Sequence, residues 1–400
     1  MSKLRSLSFL FLSISLFSLI GCETDIDIIA PQKDVTVIYG LLEEAKTEHF
    51  IRINKAFIGE ESANVLAATS GANEYSEEEL QAVVIELNKQ TGEETNRWIL
   101  QSTYSTGKEE GVFFSDSNKV YSFVADLNLN SLYRIECTVN VEGENTKIVS
   151  AETSLIGNGV SPITLVKPRL ANTTSEDRAE LDFVSNGEYR NTYEITWQRP
   201  AGGISFTAYY RFYYTEVDLA TQVRSRDSLL YTIGTKRIST SDADNTGSID
   251  FTMNPEEFYI RMNTAFDDYN FSNPTFDRIA SDTLEFFMEV ADNTLATYIE
   301  VNQPSTEIAQ ESPDYTNVNN GIGIFASRYL ASTRIKKSPD NVRSGRVFNS
   351  ASLEELLYSN QVNSVTVLEN GEEVPDSHLT SEKGFKVAGG RCNDLTETCR

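Results

Sequence analysis

The chain has 400 residues, 40% hydrophobic and 10% aromatic, with 59 acidic residues against 34 Lys and Arg and a net charge of −25. That apolar content is enough for packed cores and excludes general disorder. So acidic a surface repels phosphate backbones and anionic headgroups, which excludes nucleic acid as a partner and leaves divalent cations, basic proteins and neutral glycans.

Residues 1–21 read as a lipoprotein signal peptide. Lys3 and Arg5 precede an uncharged, serine-interleaved run from Leu7 to Ile20, too short for a membrane span. The run ends in Leu19-Ile20-Gly21-Cys22, the apolar, apolar, small, Cys pattern that lipoprotein signal peptidases cut before the cysteine. Diacylation of Cys22 and acylation of its amine exceed the roughly two signals that stable anchoring takes. The alternative is an ordinary secreted protein with a chance cysteine at the end of its signal. Without residues 1–21, which hold two basic residues and no acid, 32 Lys and Arg face 59 acids, a net charge of −27. Residues 22–34 follow as an acidic tether carrying Glu23, Asp25 and Asp27.

Strand signals dominate from there. Residues 35–156 read as an N-terminal β-sandwich domain, with strands at 35–42, 49–55, 82–87, 98–101, 120–125, 132–141 and 147–153. Ser76-Glu-Glu-Glu79 reads as a capped helical turn. The last two strands pair across the bend at Glu142-Gly143-Glu144-Asn145. Cys137 shares the inward face of its strand with Ile135 and Val139, the setting of an inert thiol. Ile156-Gly-Asn-Gly-Val-Ser-Pro162 is the clearest linker.

Residues 163–345 read as a second β-sandwich-like domain. Glu188–Arg199 and Ser205–Val217 are expected to pair across the turn Arg199-Pro-Ala-Gly-Gly203, with Tyr193, Ile195 and Trp197 pointing inward. Strands are also expected at 256–262 and 283–289. The period then changes, and a short helix near 293–301 carries Leu295, Tyr298 and Ile299 on one side. The tail, 346–400, holds a short helix at 352–359, a strand at 364–368 and a pair, Cys392 and Cys399, spaced for a local disulfide loop in an exported protein. The fold class is mainly all-β: two β-sandwich-like domains with a few short helices.

Trp197 on one strand beside a Tyr-rich neighbour loosely resembles a fibronectin-type module of about ninety residues. A wider outline joins Cys22, the acidic Asp25 and Asp27, a first strand at Val37–Leu41, Tyr298 in a helix, and Asn319–Phe325. It resembles an uncharacterised family of Bacteroidota outer-membrane lipoproteins, a domain of unknown function. The resemblance implies an outer-membrane, lipid-anchored location and a β fold, with the acidic leader as a surface-export signal. It carries no catalytic residues and no cofactor.

No catalytic set stands out. The two histidines, His49 and His378, lie apart from any acid or nucleophile partner. Two histidines also fall short of a His-rich zinc site, so neither a metal nor a cofactor is expected. Paired carboxylates such as Asp267-Asp268 and Glu256-Glu257 suit glycoside hydrolysis in type, yet pairs are common among 59 acids and read as solvated faces. Asp242-Ala-Asp244-Asn245-Thr-Gly247 mimics the front of a calcium loop. Thr246 at its fifth position and Met253 at its twelfth make it a polar hairpin loop instead.

Tyr209-Tyr-Arg-Phe-Tyr-Tyr214 puts Tyr210, Phe212 and Tyr214 on one strand face and Tyr209, Arg211 and Tyr213 on the other. Exposed, Tyr209 and Tyr213 can stack on a sugar or a partner; the alternative is cross-strand packing. The expectation is a non-catalytic binding or accessory component of a surface uptake or assembly complex. It would be held to the membrane by lipid and contact an outer-membrane protein complex or a glycan. The alternatives are a structural envelope protein and a carboxylate-based enzyme on glycans.

Overall fold

A computed structural model describes residues 35–56, 71–105, 118–141, 145–157, 163–168, 181–266, 275–303, 315–333, 335–338, 341–343, 346–357, 365–367, 373–375 and 385–386. Cys22, the tether, His378, Asp267-Asp268 and the Cys392/Cys399 pair lie outside the described residues. The protein is mainly β, with short helices.

Among the described residues the first half holds eight strands: β1 (Thr36–Leu42), β2 (Glu48–Lys55), β3 (Leu80–Asn88), β4 (Glu94–Ile99), β5 (Gln101–Ser105), β6 (Asn118–Val124), β7 (Ser131–Val139) and β8 (Lys147–Ser154). Period-2 alternation builds them; β7, for example, buries every second residue. Ser76 Oγ accepts from Glu79 N at 3.2 Å and the Glu79 carboxylate accepts from Ser76 N at 2.8 Å, so the capping box closes around a single turn before β3. The strand expected at 98–101 is two strands. Leu100 breaks it by turning into the core, its N–H donating to Ala82 O at 2.9 Å, and the chain changes sheets there.

The second half holds β9 (Leu165–Lys167), β10 (Val184–Ser185), β11 (Glu188–Tyr189), β12 (Tyr193–Arg199), β13 (Ser205–Asp218), β14 (Arg224–Arg237), β15 (Gly247–Met253), α1 (Pro255–Ala265), β16 (Phe276–Ala291), α2 (Asn293–Val301), β17 (Gly321–Ser332) and α3 (Ser350–Leu357). Two expectations fail here. The strands either side of Arg199-Pro-Ala-Gly-Gly203 do not pair: β12 lies between β9 and β15, and β13 between β14 and β16. The segment is a corner between layers, pinned by Gly202 N to Ala243 O and Ile204 N to Ala291 O, both at 2.8 Å. Ile195 and Trp197 do face inward as expected, while Tyr193 is half-buried.

The strand expected at 256–262 is the helix α1. The Asn254 side chain accepts from Glu256 N at 3.0 Å, Pro255 occupies the first turn and two glutamates meet the positive end of the helix. Phe258, Tyr259 and Met262 then fall on one buried face.

One ten-stranded sheet, with main path β14-β13-β16-β17-β1-β2-β6-β5, serves two cores. Over β5, β6, β2 and β1 it packs against the four-stranded sheet β4-β3-β7-β8, enclosing Ile38, Ile53, Val84, Ile135 and Phe325. Over β14, β13, β16 and β17 it packs against β15-β12-β9 and the helices α1 and α3, enclosing Trp197, Phe212, Phe258 and Phe286. β17 joins the halves: its start pairs parallel with β1, and its end pairs antiparallel with β16. Cys137 is fully buried in the first core, and burial pushes its thiol up to about 12. Among the described residues, no helix is long and apolar enough to cross a membrane.

Candidate functional site

The groove and tyrosine candidates lie on the other face of the ten-stranded sheet, where alternation puts the residues that neither core takes. Helix α2 lies on that face. Its N-cap Asp292 accepts from Leu295 N and Ser327 N, each at 2.8 Å, and from Thr153 Oγ1 at 3.1 Å, tying the helix to β17 and β8. Burial raises the Asp292 carboxyl, and those three donors pull it back only in part. The helix buries Ala296 rather than Ile299, which is exposed. Its Leu295 and Tyr298 thereby become a wall.

Opposite that wall, β1 contributes Tyr39, β2 Phe50 and β6 Val120, with Ile324 of β17 beneath, enclosing a groove of about 510 Å³. Tyr39 and Phe50 are 42% and 50% exposed, which leaves ring surface for a ligand. Tyr39 and Tyr298 meet edge to face, with centroids 6.1 Å apart and hydroxyls 3.4 Å apart. The hydrogen bond from Tyr298 and partial burial push Tyr39 up to about 12, and a tyrosine hydroxyl can both donate and accept. The volume falls within the range of small-ligand sites, and the walls are aromatic and aliphatic as such sites require.

Charge gathers on the rim. Arg328 donates to Glu43 Oε1 through Nε at 2.9 Å and Nη2 at 2.7 Å, and Lys46 lies 2.8 Å from the same oxygen. Glu48 and Arg52 complete the rim, with Arg52 Nε donating to Asn54 Oδ1 at 2.7 Å. Burial works to raise Glu43, but Lys46 and Arg328 outweigh it and hold the carboxyl below its usual 4.5. A carboxyl lowered in the folded state adds stability that is complete above that usual value and is lost as pH falls through the folded value. Urea denaturation between pH 3 and 6 is therefore expected to show a fall in stability on the acid side that Glu43→Gln makes shallower. An unchanged slope in the variant would remove Glu43 from the account.

Tyr209 and Tyr213 also lie on this outer face, on the far side of α2. Tyr209 stacks on Phe287 with centroids 5.0 Å apart and donates to Glu289 Oε2 at 3.1 Å. Tyr213 donates to Glu285 Oε2 at 2.6 Å, and Arg226 covers its ring at 4.7 Å. Their rings and hydroxyls are engaged across strands, whereas the opposite set, Tyr210 and Phe212, is core.

The remaining candidates are placed as follows. His49 faces the first core, its ring tilted against Phe123 with centroids 4.9 Å apart and Nε2 3.1 Å from Ala125 O, and burial lowers its pKa. Glu257 is paired to Arg261 on the exposed side of α1. In the 242–247 loop, Arg199 donates to Asn245 O at 2.9 Å and Asp242 O at 3.2 Å, which ties the loop to β12. A second hollow of about 950 Å³ lies beside that loop, and its Lys89 donates to Leu129 O at 3.1 Å. Among the described residues, no aromatic side chain lines it.

No family model matches the chain, and no curated protein matches it. Among solved structures, the C-terminal globular domain of an oligosaccharyltransferase from Pyrococcus abyssi is similar at 8% identity, over 76% of this chain and 48% of that one, with a TM-score of 0.19. CBD12 from CALX1.2 is similar at 11% identity over 75% of this chain and 99% of that one, with a TM-score of 0.15. At such scores neither carries an argument; the sandwich layers rest on the sheet pairings described above.

Proposed function

We propose that the protein is a lipid-anchored binding protein of the bacterial outer membrane, an accessory component of a surface uptake or assembly complex, related to the Bacteroidota lipoproteins it resembles. The observation that carries the binding role is the groove between α2 and strands β1, β2 and β6, where aromatic surface stays open beneath a charged rim. The motif Leu19-Ile20-Gly21-Cys22 supports the anchor, and Glu23, Asp25 and Asp27 support display at the cell surface.

Affinity purification of the tagged protein from detergent-solubilised envelope, beside a Cys22→Ala control, tests this reading. The expected result is reproducible recovery of an outer-membrane protein that the control loses. Recovery of the lipoprotein alone would remove the accessory role, and a Cys22→Ala protein still held in the membrane would remove the lipid anchor.

A further inference from the structure

The groove's chemistry narrows its ligand. Its floor is sheet backbone whose hydrogen bonds are already made: β1 is paired by β17 and β2, and β2 by β1 and β6. An extended peptide laid there would find no main-chain partners, which is how strand-adding recognition gains its affinity. An apolar peptide would also leave its amides unpaired against aromatic walls. The rim mixes donors and acceptors, Lys46 and Arg52 with Glu48, and two tyrosine hydroxyls stand within the groove. Groups that both donate and accept match such a rim, and hydroxyls do so without charge. The open rings of Tyr39 and Phe50, with Tyr298 across from Tyr39, call for a ligand with a flat C–H face. A net charge of −25 works against polyanions.

Resting on the binding role above, we propose that this groove is a saccharide site that takes a neutral sugar ring, stacked on Tyr39 and Phe50 with its hydroxyls directed to Glu48, Arg52 and the Tyr298 hydroxyl. The ligand class is then an uncharged oligosaccharide.

The experiment is calorimetric titration of the full-length lipoprotein in nanodiscs, free of sugar-headed detergent. The probes are neutral hexasaccharides of α- and β-linked glucose, of mannose and of xylose, beside polygalacturonate and an apolar decapeptide. At least one neutral hexasaccharide is expected to saturate the protein. Tyr39→Ala and Phe50→Ala are each expected to weaken it about tenfold. Tyr39→Phe, which keeps the ring, is expected to retain most of the affinity, and Leu230→Ala, an exposed residue on the far side of α2, all of it. Melting temperatures equal to wild type establish that the variants fold, and Tyr39→Phe keeps the test intact should Tyr39→Ala melt early.

The proposal is overturned if no neutral hexasaccharide saturates at millimolar concentration. It is equally overturned if affinity ignores Tyr39 and Phe50, or if the peptide or polygalacturonate is the better ligand. A Cys22-dependent envelope partner together with silent sugar titrations would remove the saccharide and leave the accessory role. Sugar binding that depends on Tyr39 without any envelope partner would do the reverse.

Discussion

Gly323→Ala is expected to cost more than about 3 kcal/mol and to lower the melting temperature of the whole protein, or to leave it insoluble. Gly323 has φ +105°, a region closed to a side chain, and a Cβ there would lie 2.0 Å from the carbonyl oxygen of Ile38. That oxygen belongs to β1, and Ile38 is the register partner of Gly323 in the parallel ladder. Neither strand can retreat without breaking the only junction described between β1 and the strands of the second half, since β17 carries both pairings. Differential scanning calorimetry measures the effect. A variant that melts like wild type would mean that β1 and β17 do not meet in this register.

Phe325→Ala is expected to cost about 3–5 kcal/mol, the usual range for emptying a fully buried phenylalanine site. Phe325 comes from the C-terminal half, yet its side chain is fully buried in the core built by the first eight strands. Gly40 makes the room: a Cβ at that position would lie 2.7 Å from the Phe325 ring. Cys137, in the same core, reports the opening, because its buried thiol is inert while the core is closed. Mass-spectrometric footprinting with a thiol reagent is expected to find Cys137 protected in the wild type and labelled faster in the variant. Equal protection would place Phe325 outside the cooperative unit of that core.

Much of the β architecture was legible because its signals are local. Alternation in Leu132–Val139 and Ile148–Thr153 gives strands and faces without reference to the rest of the chain, and Ser76 with Glu79 announces a capped turn. Asn254-Pro255-Glu256-Glu257 is an equally local helix start, and it outweighs the strand-like residues that follow it. The pairing across Arg199–Gly203 failed for a different reason. Strong strands joined by a Pro-Gly turn resemble a hairpin, but hydrogen-bond partners are chosen by which layers must close over Trp197 and Phe212, and that choice is not written in the turn.

The candidate site divides in the same way. Tyr209 and Tyr213 form a dense cluster in one strand, and the fold engages both with Phe287, Glu289, Glu285 and Arg226 from neighbouring strands. Tyr39, Phe50 and Tyr298 lie in no such cluster, and Tyr298 stands out in the sequence only as a helix residue. Tyr39 and Tyr298 stand 259 positions apart, and nothing in either neighbourhood points to the other.

The sequence by itself determined the charge, the Leu19-Ile20-Gly21-Cys22 motif, the strand-rich composition and which face of most strands is apolar, because each depends on residue type and on a period of two within a few positions. The tertiary structure alone decided that one sheet spans both halves, that Phe325 fills the first core, and that Asp292 seats a helix across from Tyr39 to leave a groove. These depend on contacts between distant residues, whose free energy is realised only when both cores close around a shared strand.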